Sequence, residues 1–570
     1  MGTLKPAVTG YRHMAAAGHH LAATAAHDIL SAGGNAADAG VAAGLVLGVV
    51  QSDYVNIAGV APIMFRDAAS GRVTTIDGVG TWPAALEPDL FLRHHDGHVP
   101  SGILRTVVPA APAAWIEALA RFGTMSFAEV AGPAIRCARD GFAMHDFMRS
   151  IIAEHREEYA RWPANAKIYL PDGEVPALGA RFVQEDLGRT LQYMADEDVA
   201  AASVGRAAGL RAARDAFYKG DIAATIVTYH KENGGLLSAQ DLADYQIQVE
   251  TAGKARFEDT TLHFCGAWCQ GPTLAQALAL IDTAALKAMP HNCAEHLHMV
   301  IEALKLAFAD RERYFGDPRF VDVPLEHLLS TAYAAERQGL IGTEAWPDMP
   351  PAGELAPDKT QSAGTPREDG AERWSHHGDT SYCCAVDAQG NAFSATPSDV
   401  SYNSPVVPGT GLCPSARGSA SWADPRHPSG VWPGKRPRLT PNPAILVDST
   451  GQPMPFGTPG GDVQVQAMMQ FVLNLKVYGM DAQSAAEAPR VATYSFPGTF
   501  EPHQSHPALV RAEARIEPEV ISSLKERGHD VQPWPERTHL AGAICAIVPD
   551  EQGGLHAATD HRRPTGAVGW

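Results

Sequence analysis

One stretch of this chain cannot take part in a packed core, and its position organises everything around it. Residues 345–377 (AWPDMPPAGELAPDKTQSAGTPREDGAERWSHH) hold few large apolar side chains and many prolines, glycines and charges. A run of that length with no core-forming pattern reads as a linker, a functional loop or a disordered segment, and it predicts an exposed junction. Before it the pattern is mainly helical; after it, mainly hairpins. At about one domain per 150 residues, the 570 residues would allow three or four domains. Compact αβ enzymes often exceed that prior, and no internal repeat of fixed period divides the chain.

Upstream of the junction, Ala22 to Leu30 ends at Ser31-Ala-Gly-Gly-Asn35, and a small-residue run from Ala36 to Val50 follows. This predicts two helices in close approach. The longest apolar stretch, Ala39 to Val50, falls short of the roughly 20 residues needed to cross a bilayer and predicts a buried helix. Within residues 109–142 one helix starts near Pro112 and stops at Gly123, and a second runs towards Gly141. Leu297, Val300, Ile301, Leu304 and Phe308 lie on one helical face, closed by Gly316-Asp317-Pro318. Downstream, Thr380 to Val386, a turn at Asp387-Ala-Gln-Gly-Asn391 and Ala392 to Thr396 predict a hairpin. Ala543 to Val548 and Leu555 to Thr559, joined at Gly553-Gly554, predict another.

Several function classes lose their support at once. Apolar residues make up 45% and charged residues 19%, the composition of a folded globular protein. The net charge of -19 repels phosphate backbones and anionic lipid heads, so neither nucleic acid nor a membrane is an expected partner. Met1 to Met14 carries no apolar signal region behind a basic end, and a cytoplasmic location is expected. Eight cysteines are too sparse for a disulfide scaffold and read as buried thiols in a reducing compartment. HExxH, Walker A and GxSxG patterns are absent. His291, Cys293, His296 and His298 could bring ligands near one helix start, but ordinary core or solvated histidines explain them, and no metal is assigned.

The sequence His376-His377-Gly378-Asp379-Thr380 closes the exposed junction. A threonine that becomes the first residue of a chain holds both a hydroxyl nucleophile and an α-amine able to act as its base. That amine titrates near pH 8, within reach of neutrality. The chemistry requires a cut between Asp379 and Thr380, and an exposed segment tolerates one. Gly378 supplies the backbone freedom that an N-to-O acyl shift of the Asp379 carbonyl onto the Thr380 hydroxyl demands. The plain alternative is a threonine that begins a strand. Gly457-Thr458-Pro459-Gly460-Gly461-Asp462 precedes a helical pattern with Val465, Met468, Met469, Val472 and Leu475, stopped at Gly479. Gly460 and Gly461 there present backbone N–H groups as an oxyanion hole would, or form an ordinary turn capped by Asp462.

At these residues the chain resembles the γ-glutamyltransferase family of N-terminal nucleophile hydrolases. The matching stretches are SAGGNAADAGVAA from Ser31, FGTMSFAEVAGPAIRCARDGF from Phe122, IEALKLAFADRERYFGDP from Ile301, GDTSYCCAVDAQGNAFS from Gly378, PGTG from Pro408, PGKRP from Pro433 and GTPGGDVQ from Gly457. The resemblance implies an α+β fold, the four-layer αββα sandwich. It also implies self-cleavage before Thr380 into a large segment 1–379 and a small segment 380–570 that together form one domain. Thr380 is then the nucleophile, Gly460 and Gly461 the oxyanion donors, and Ser398 stands where the transferases have a threonine bonded to the nucleophile. The two fragments would pair as a heterodimer, and a dimer of such pairs is admitted. No cofactor is implied.

Substrate recognition departs from the transferase pattern. Their arginine for the donor's α-carboxylate aligns with Glu87-Pro88-Asp89, where no arginine stands. An asparagine is replaced by Val400, and the residues that bind the α-amino group by Cys413-Pro-Ser-Ala-Arg-Gly418. Of two consecutive serines only Thr440 keeps a hydroxyl, beside Leu439. Arg417 lies where an acidic ligand was, and Arg438 is close by; with Thr440 they form the expected substrate-binding set. An arginine in place of an acid inverts the preference from amine to carboxylate, although ion pairing would explain both arginines equally. The sequence therefore reads as a self-processing threonine amidohydrolase for a small acyl or acid amide. A γ-glutamyl transferase or glutathione hydrolase with a rebuilt pocket is the first alternative, and an uncleaved, silent ligand-binding relative the second.

Overall fold

The computed structural model describes residues 3–354, 380–536 and 538–570. Asp379 and residues 355–377 of the predicted junction lie outside the described residues. Two seven-stranded sheets, antiparallel at every pairing, form the centre. The first runs Gly566–Gly569, Met14–Ala17, Cys383–Val386, Ala392–Ala395, Ile63–Arg66, Val73–Ile76, Val249–Thr251. The second runs Val8–Gly10, Leu555–Thr559, Cys545–Pro549, Pro453–Gly457, Ala444–Val447, Thr260–Phe264, Gly253–Phe257.

Side-chain alternation assigns the layers, since successive residues of a strand face opposite sides. Cys383 and Ala385 enter the core shared with the helix Ala36–Val50, whereas Cys384 and Val386 enter a separate core between the sheets. On the second sheet Ala444 and Leu446 face the helices, and Ile445 faces the other sheet. The layer order is helices, sheet, sheet, helices: the expected αββα sandwich.

The helices Ala36–Val50 and Ala111–Phe122 cover the first sheet. All 15 residues of Ala36–Val50 are buried, and its glycines permit this. A Cβ at Gly40 would lie 2.0 Å from the ring of Phe393 on the strand beneath, and one at Gly44 would lie 2.4 Å from Trp115. The helices Gly271–Ala279, Ala294–Tyr314 and Val463–Lys476 form the opposite layer. Among the eight thiols, all free, Cys137 and Cys293 are partly exposed rather than buried.

Three boundaries differ from expectation for physical reasons. The first hairpin strand begins at Cys383 rather than Thr380, because Pro397 lacks the N–H that would continue the ladder. Ser381 N–H donates to the Pro397 carbonyl (3.0 Å), and Thr380 pairs with Ser398 in an isolated bridge. The strand expected from Ala543 begins at Cys545, with the Ala543 N–H donating to Thr458 Oγ1 (2.7 Å). Residues 345–354 are anchored to the helix Ala294–Tyr314 rather than standing away from it. Buried Lys305 donates to the Trp346 carbonyl (2.8 Å), and buried Asp310 accepts from the Gly353 N–H (2.9 Å).

Candidate active site

Thr380 is 2% exposed and sits just before the strand Cys383–Val386, in the interior of the first sheet. The returning strand carries Ser398 opposite it, and the bridge between them sets the two hydroxyls 2.8 Å apart. Main-chain bonds with Val60 on the far side (2.9 and 3.2 Å) fix Ser398. The next residue, Asp399, has φ 126, a conformation that costs a non-glycine residue strain energy and persists only when its surroundings impose it. Asp399 is buried and accepts from Ser415 Oγ (2.5 Å) and Ala416 N (3.3 Å). Burial raises its carboxyl pKa, and Arg417 beside it opposes the rise.

Arg417 reaches the same point from the turn Arg417–Ala420. Its Nη2 donates to Ser398 Oγ, its Nε lies 3.8 Å from Asp399 Oδ1, and its guanidinium lies 5.2 Å from the Phe500 ring centroid. A guanidinium carries no acceptor, so the serine oxygen accepts from arginine; with two lone pairs it can still either donate to or accept from Thr380 Oγ1.

Gly460 and Gly461 have φ 124 and 57 and open the helix Val463–Lys476. Such angles suit glycine, and they turn the chain so that backbone N–H groups gather at a helix start. Gln464, one residue into the helix, brings its side-chain amide to 3.3 Å from Thr380 Oγ1. The helix that the glycine turn opens thus reaches the hydroxyl pair through Gln464. Gln270 Nε2 ties the turn to its neighbour by donating to both the Gly461 carbonyl (3.1 Å) and the Thr440 carbonyl (3.0 Å). Asp462 accepts from Thr499 N and Thr499 Oγ1 (2.7 Å each) and pairs with fully buried Arg311.

Of the residues singled out from sequence, Thr380, Ser398 and Arg417 meet directly, and Gly460 and Gly461 stand beside them through Gln464. Thr440 joins through Gln270; its hydroxyl, 1% exposed, makes no hydrogen bond among the described residues. Arg438, expected to bind substrate, is buried among protein partners. Its two terminal nitrogens donate to the Glu312 carboxylate (2.6 Å) and to the carbonyls of Arg311 (2.9 Å) and Phe315 (3.4 Å), and burial lowers its pKa to about 10. Asp379 lies outside the described residues. Gln464, Gln270 and Arg311 went unnoticed. Arg311 left a signal: it falls three residues beyond Phe308, continuing the apolar stripe of its helix with a charge. Of the histidines flagged near that helix start, His298 lies with Glu302 and His529, their ligand atoms within 4.8 Å, but Lys305 Nζ stands 2.9 Å from Glu302 Oε1 and supplies the cation there.

An αββα sandwich with a threonine ahead of an interior strand, a second hydroxyl on its oxygen and a glycine-opened helix in contact with it has the architecture of the N-terminal nucleophile hydrolases. Comparison with known proteins places the chain more narrowly. It belongs to the Gamma-glutamyltranspeptidase family, whose sequence model matches residues 22–570. It is 31% identical to the Acylase ACY 1 proenzyme of a Pseudomonas species, over 97% of this chain and 92% of that one. It is 29% identical to the Oxamate amidohydrolase proenzyme of Klebsiella pneumoniae, over 98% of each. The crystal structure of cephalosporin acylase from Bacillus halodurans matches with a TM-score of 0.85 at 26% identity, covering 100% of this chain and 98% of that one.

Proposed function

We propose that this protein is an amide hydrolase that cleaves itself between Asp379 and Thr380 and then works through an acyl-enzyme on Thr380. The observation that carries the reading is the hydroxyl pair, Thr380 Oγ1 and Ser398 Oγ at 2.8 Å, within a chain whose relatives are named proenzymes. Once freed, the Thr380 α-amine takes the proton of its own hydroxyl, and Oγ1 attacks the substrate carbonyl. The Gly460–Gly461 turn receives the developing oxyanion, and Ser398 donates to the nucleophile oxygen. Collapse of the tetrahedral adduct breaks the C–N bond, the leaving amine departs with the proton, and water then releases the acid from Thr380. Segments 1–379 and 380–570 remain paired as one domain.

The acyl group is proposed to carry a carboxylate or polar carbonyl and no free α-amine. Arg417 supports this: a buried cation one hydrogen bond from Ser398 and two from Thr380 disfavours a donor ammonium. Arg93, four residues past Asp89, is on the surface and pairs with both Glu87 and Asp89.

The test uses the purified protein and its Thr380→Ala variant. Wild type runs as two bands on a denaturing gel, with Thr380 as the second N-terminus, and the variant runs as one band without amidase activity. Undiminished hydrolysis by Thr380→Ala would place the active site elsewhere. Glutaryl and γ-glutamyl p-nitroanilides, which differ by the α-amino group, are compared in kcat/KM; a preference for γ-glutamyl would overturn the substrate assignment.

A further inference from the structure

Arg105 is 5% exposed, yet among the described residues no carboxylate stands within salt-bridge distance of it. Arg436, Arg490 and Arg562, as deeply buried, each pair with one. A buried cation without a close counter-charge is costly, and burial lowers the Arg105 pKa to about 10 against the pull of Glu501 and Asp399. Both of those acids have nearer partners. Glu501 is bonded to His98 and accepts from the Val99 N–H (3.4 Å), and Asp399 is held by Ser415, Ala416 and Arg417.

The guanidinium is nonetheless fixed in place. Its Nε donates to the Pro100 carbonyl (2.8 Å) and its Nη2 to the Val99 carbonyl (2.9 Å). These two nitrogens share one edge of the planar group. The opposite edge, Nη1 with the second hydrogen of Nη2, makes no hydrogen bond among the described residues, and it has the fork that a carboxylate accepts in bidentate fashion. Its neighbourhood is that of the hydroxyl pair. Arg105 ends the turn Ile103–Arg105, which packs on the loop that brings Arg417 to Ser398. The Val107 N–H donates to the Ser415 carbonyl (3.0 Å), and a Cβ at Gly418 would lie 2.3 Å from the Arg105 carbonyl. The Gly102 N–H donates to the carbonyl of Asn403, on the segment that follows Ser398 (2.9 Å). Arg105 and Arg417 both act on the buried carboxyl of Asp399, the residue after Ser398.

We propose that Arg105 is the substrate-binding residue for a carboxylate at the far end of the acyl group, so that the substrates are monoamides of short dicarboxylic acids. The proposal rests on the reading of Thr380 as the nucleophile that takes the acyl group. Division of labour between the two arginines follows from their contacts. Arg417 spends a terminal nitrogen on Ser398 and stays with the reacting hydroxyls, whereas Arg105 is anchored only by main-chain carbonyls and keeps a whole edge for ligand. A substrate carboxylate there would supply the counter-charge that Arg105 lacks, and a fork already held in place loses little freedom on binding.

The test compares succinyl, glutaryl and adipyl p-nitroanilides with the anilides of the same chain length that end in methyl. Wild type should prefer the acid in at least one of the three pairs. For that pair, Arg105→Gln should lower the acid-over-methyl ratio of kcat/KM about 30- to 1,000-fold, mostly through KM of the acid. Arg105→Lys keeps the charge without the fork and should fall between the two. Equal losses on both anilides, as a purely structural arginine would give, or an unchanged ratio in Arg105→Gln would overturn the proposal. So would a wild type that prefers the methyl-ended anilide at every length. If Arg105→Gln fails to fold, as read by circular dichroism and melting temperature, the ratio in Arg105→Lys decides, and a wild-type value there refutes the assignment. Failure of the underlying reading looks different: wild type would stay uncut, or Thr380→Ala would remain active.

Discussion

Removing the Asp462 carboxylate should both destabilise the fold and disable the glycine turn, and the size of each effect follows from the charges around Arg311. That guanidinium is 0% exposed and lies 4.5 and 5.2 Å from the stacked rings of Phe308 and Phe496. It is paired with Asp462 and with Glu312 (2.7 Å), and Glu312 also pairs with Arg438 (2.6 Å). Two buried guanidinium groups are therefore matched by two carboxylates. Asp462→Ala leaves Glu312 alone for both, and breaking a buried pair from one side costs about 3–5 kcal/mol. The two bonds from Thr499 are lost as well. Asp462→Asn keeps acceptors for Thr499 and part of the bond to Arg311, so about half that cost is expected.

Urea unfolding followed by tryptophan fluorescence measures the loss, and steady-state amidase assays measure the second effect. Because Asp462 directly follows Gly461, release of the turn should lower kcat of Asp462→Ala about 10²- to 10³-fold, the usual effect of losing an oxyanion donor. Adding Arg311→Met to Asp462→Ala removes the stranded charge and should restore much of the stability but little of the activity. A loss below about 1 kcal/mol in Asp462→Ala would refute the charge argument. A destabilised variant with full kcat would refute the assignment of the turn to the oxyanion.

Stability should fall on the acid side through buried histidines. Burial lowers His230 to about 4, whereas a free imidazole titrates near 6.5, so the unfolded chain gains a proton in that window that the folded one refuses. Its contribution is intact above pH 6.5 and is lost as pH falls towards 4, about 3 kcal/mol in all. His230→Asn should flatten the dependence of unfolding free energy on pH by one proton's worth; an unchanged slope would contradict the assignment. Gly44→Ala forces a methyl to within 2.4 Å of the Trp115 ring and should cost about 1–3 kcal/mol, visible as a lowered melting temperature; an unchanged melt would mean that the helix does not sit so close.

What could be read from the sequence depended on how far away the partners lay. The hairpin at Thr380 was legible because its alternation and glycine turn are local, and the helix Ala36–Val50 because small residues announce close approach. The chemistry proposed at Thr380 could be argued from sequence because a hydroxyl and an α-amine belong to one residue. The pairing of Arg438 was not legible, because nearness to the KRP element says nothing of where a long side chain turns; its partner Glu312 is 126 residues away in the chain. Gln464 stood inside the GTPGGDVQ motif, yet its contacts with Thr380 and Thr440 join it to residues distant in the chain. Charged residues in the helix Ala294–Tyr314 carried the most information left unread. Glu302, Lys305, Asp310, Arg311 and Glu312 are all buried there, and besides the pairs they form within the helix their partners include Trp346, Gly353 and Asp462. Pairs within the helix do not satisfy all five charges, and the outside partners hold the described part of the junction and the glycine turn that opens the helix carrying Gln464. One helix therefore anchors both the approach to the proposed cleavage site and the proposed oxyanion site, an economy that appears only when the long-range ion pairs are known.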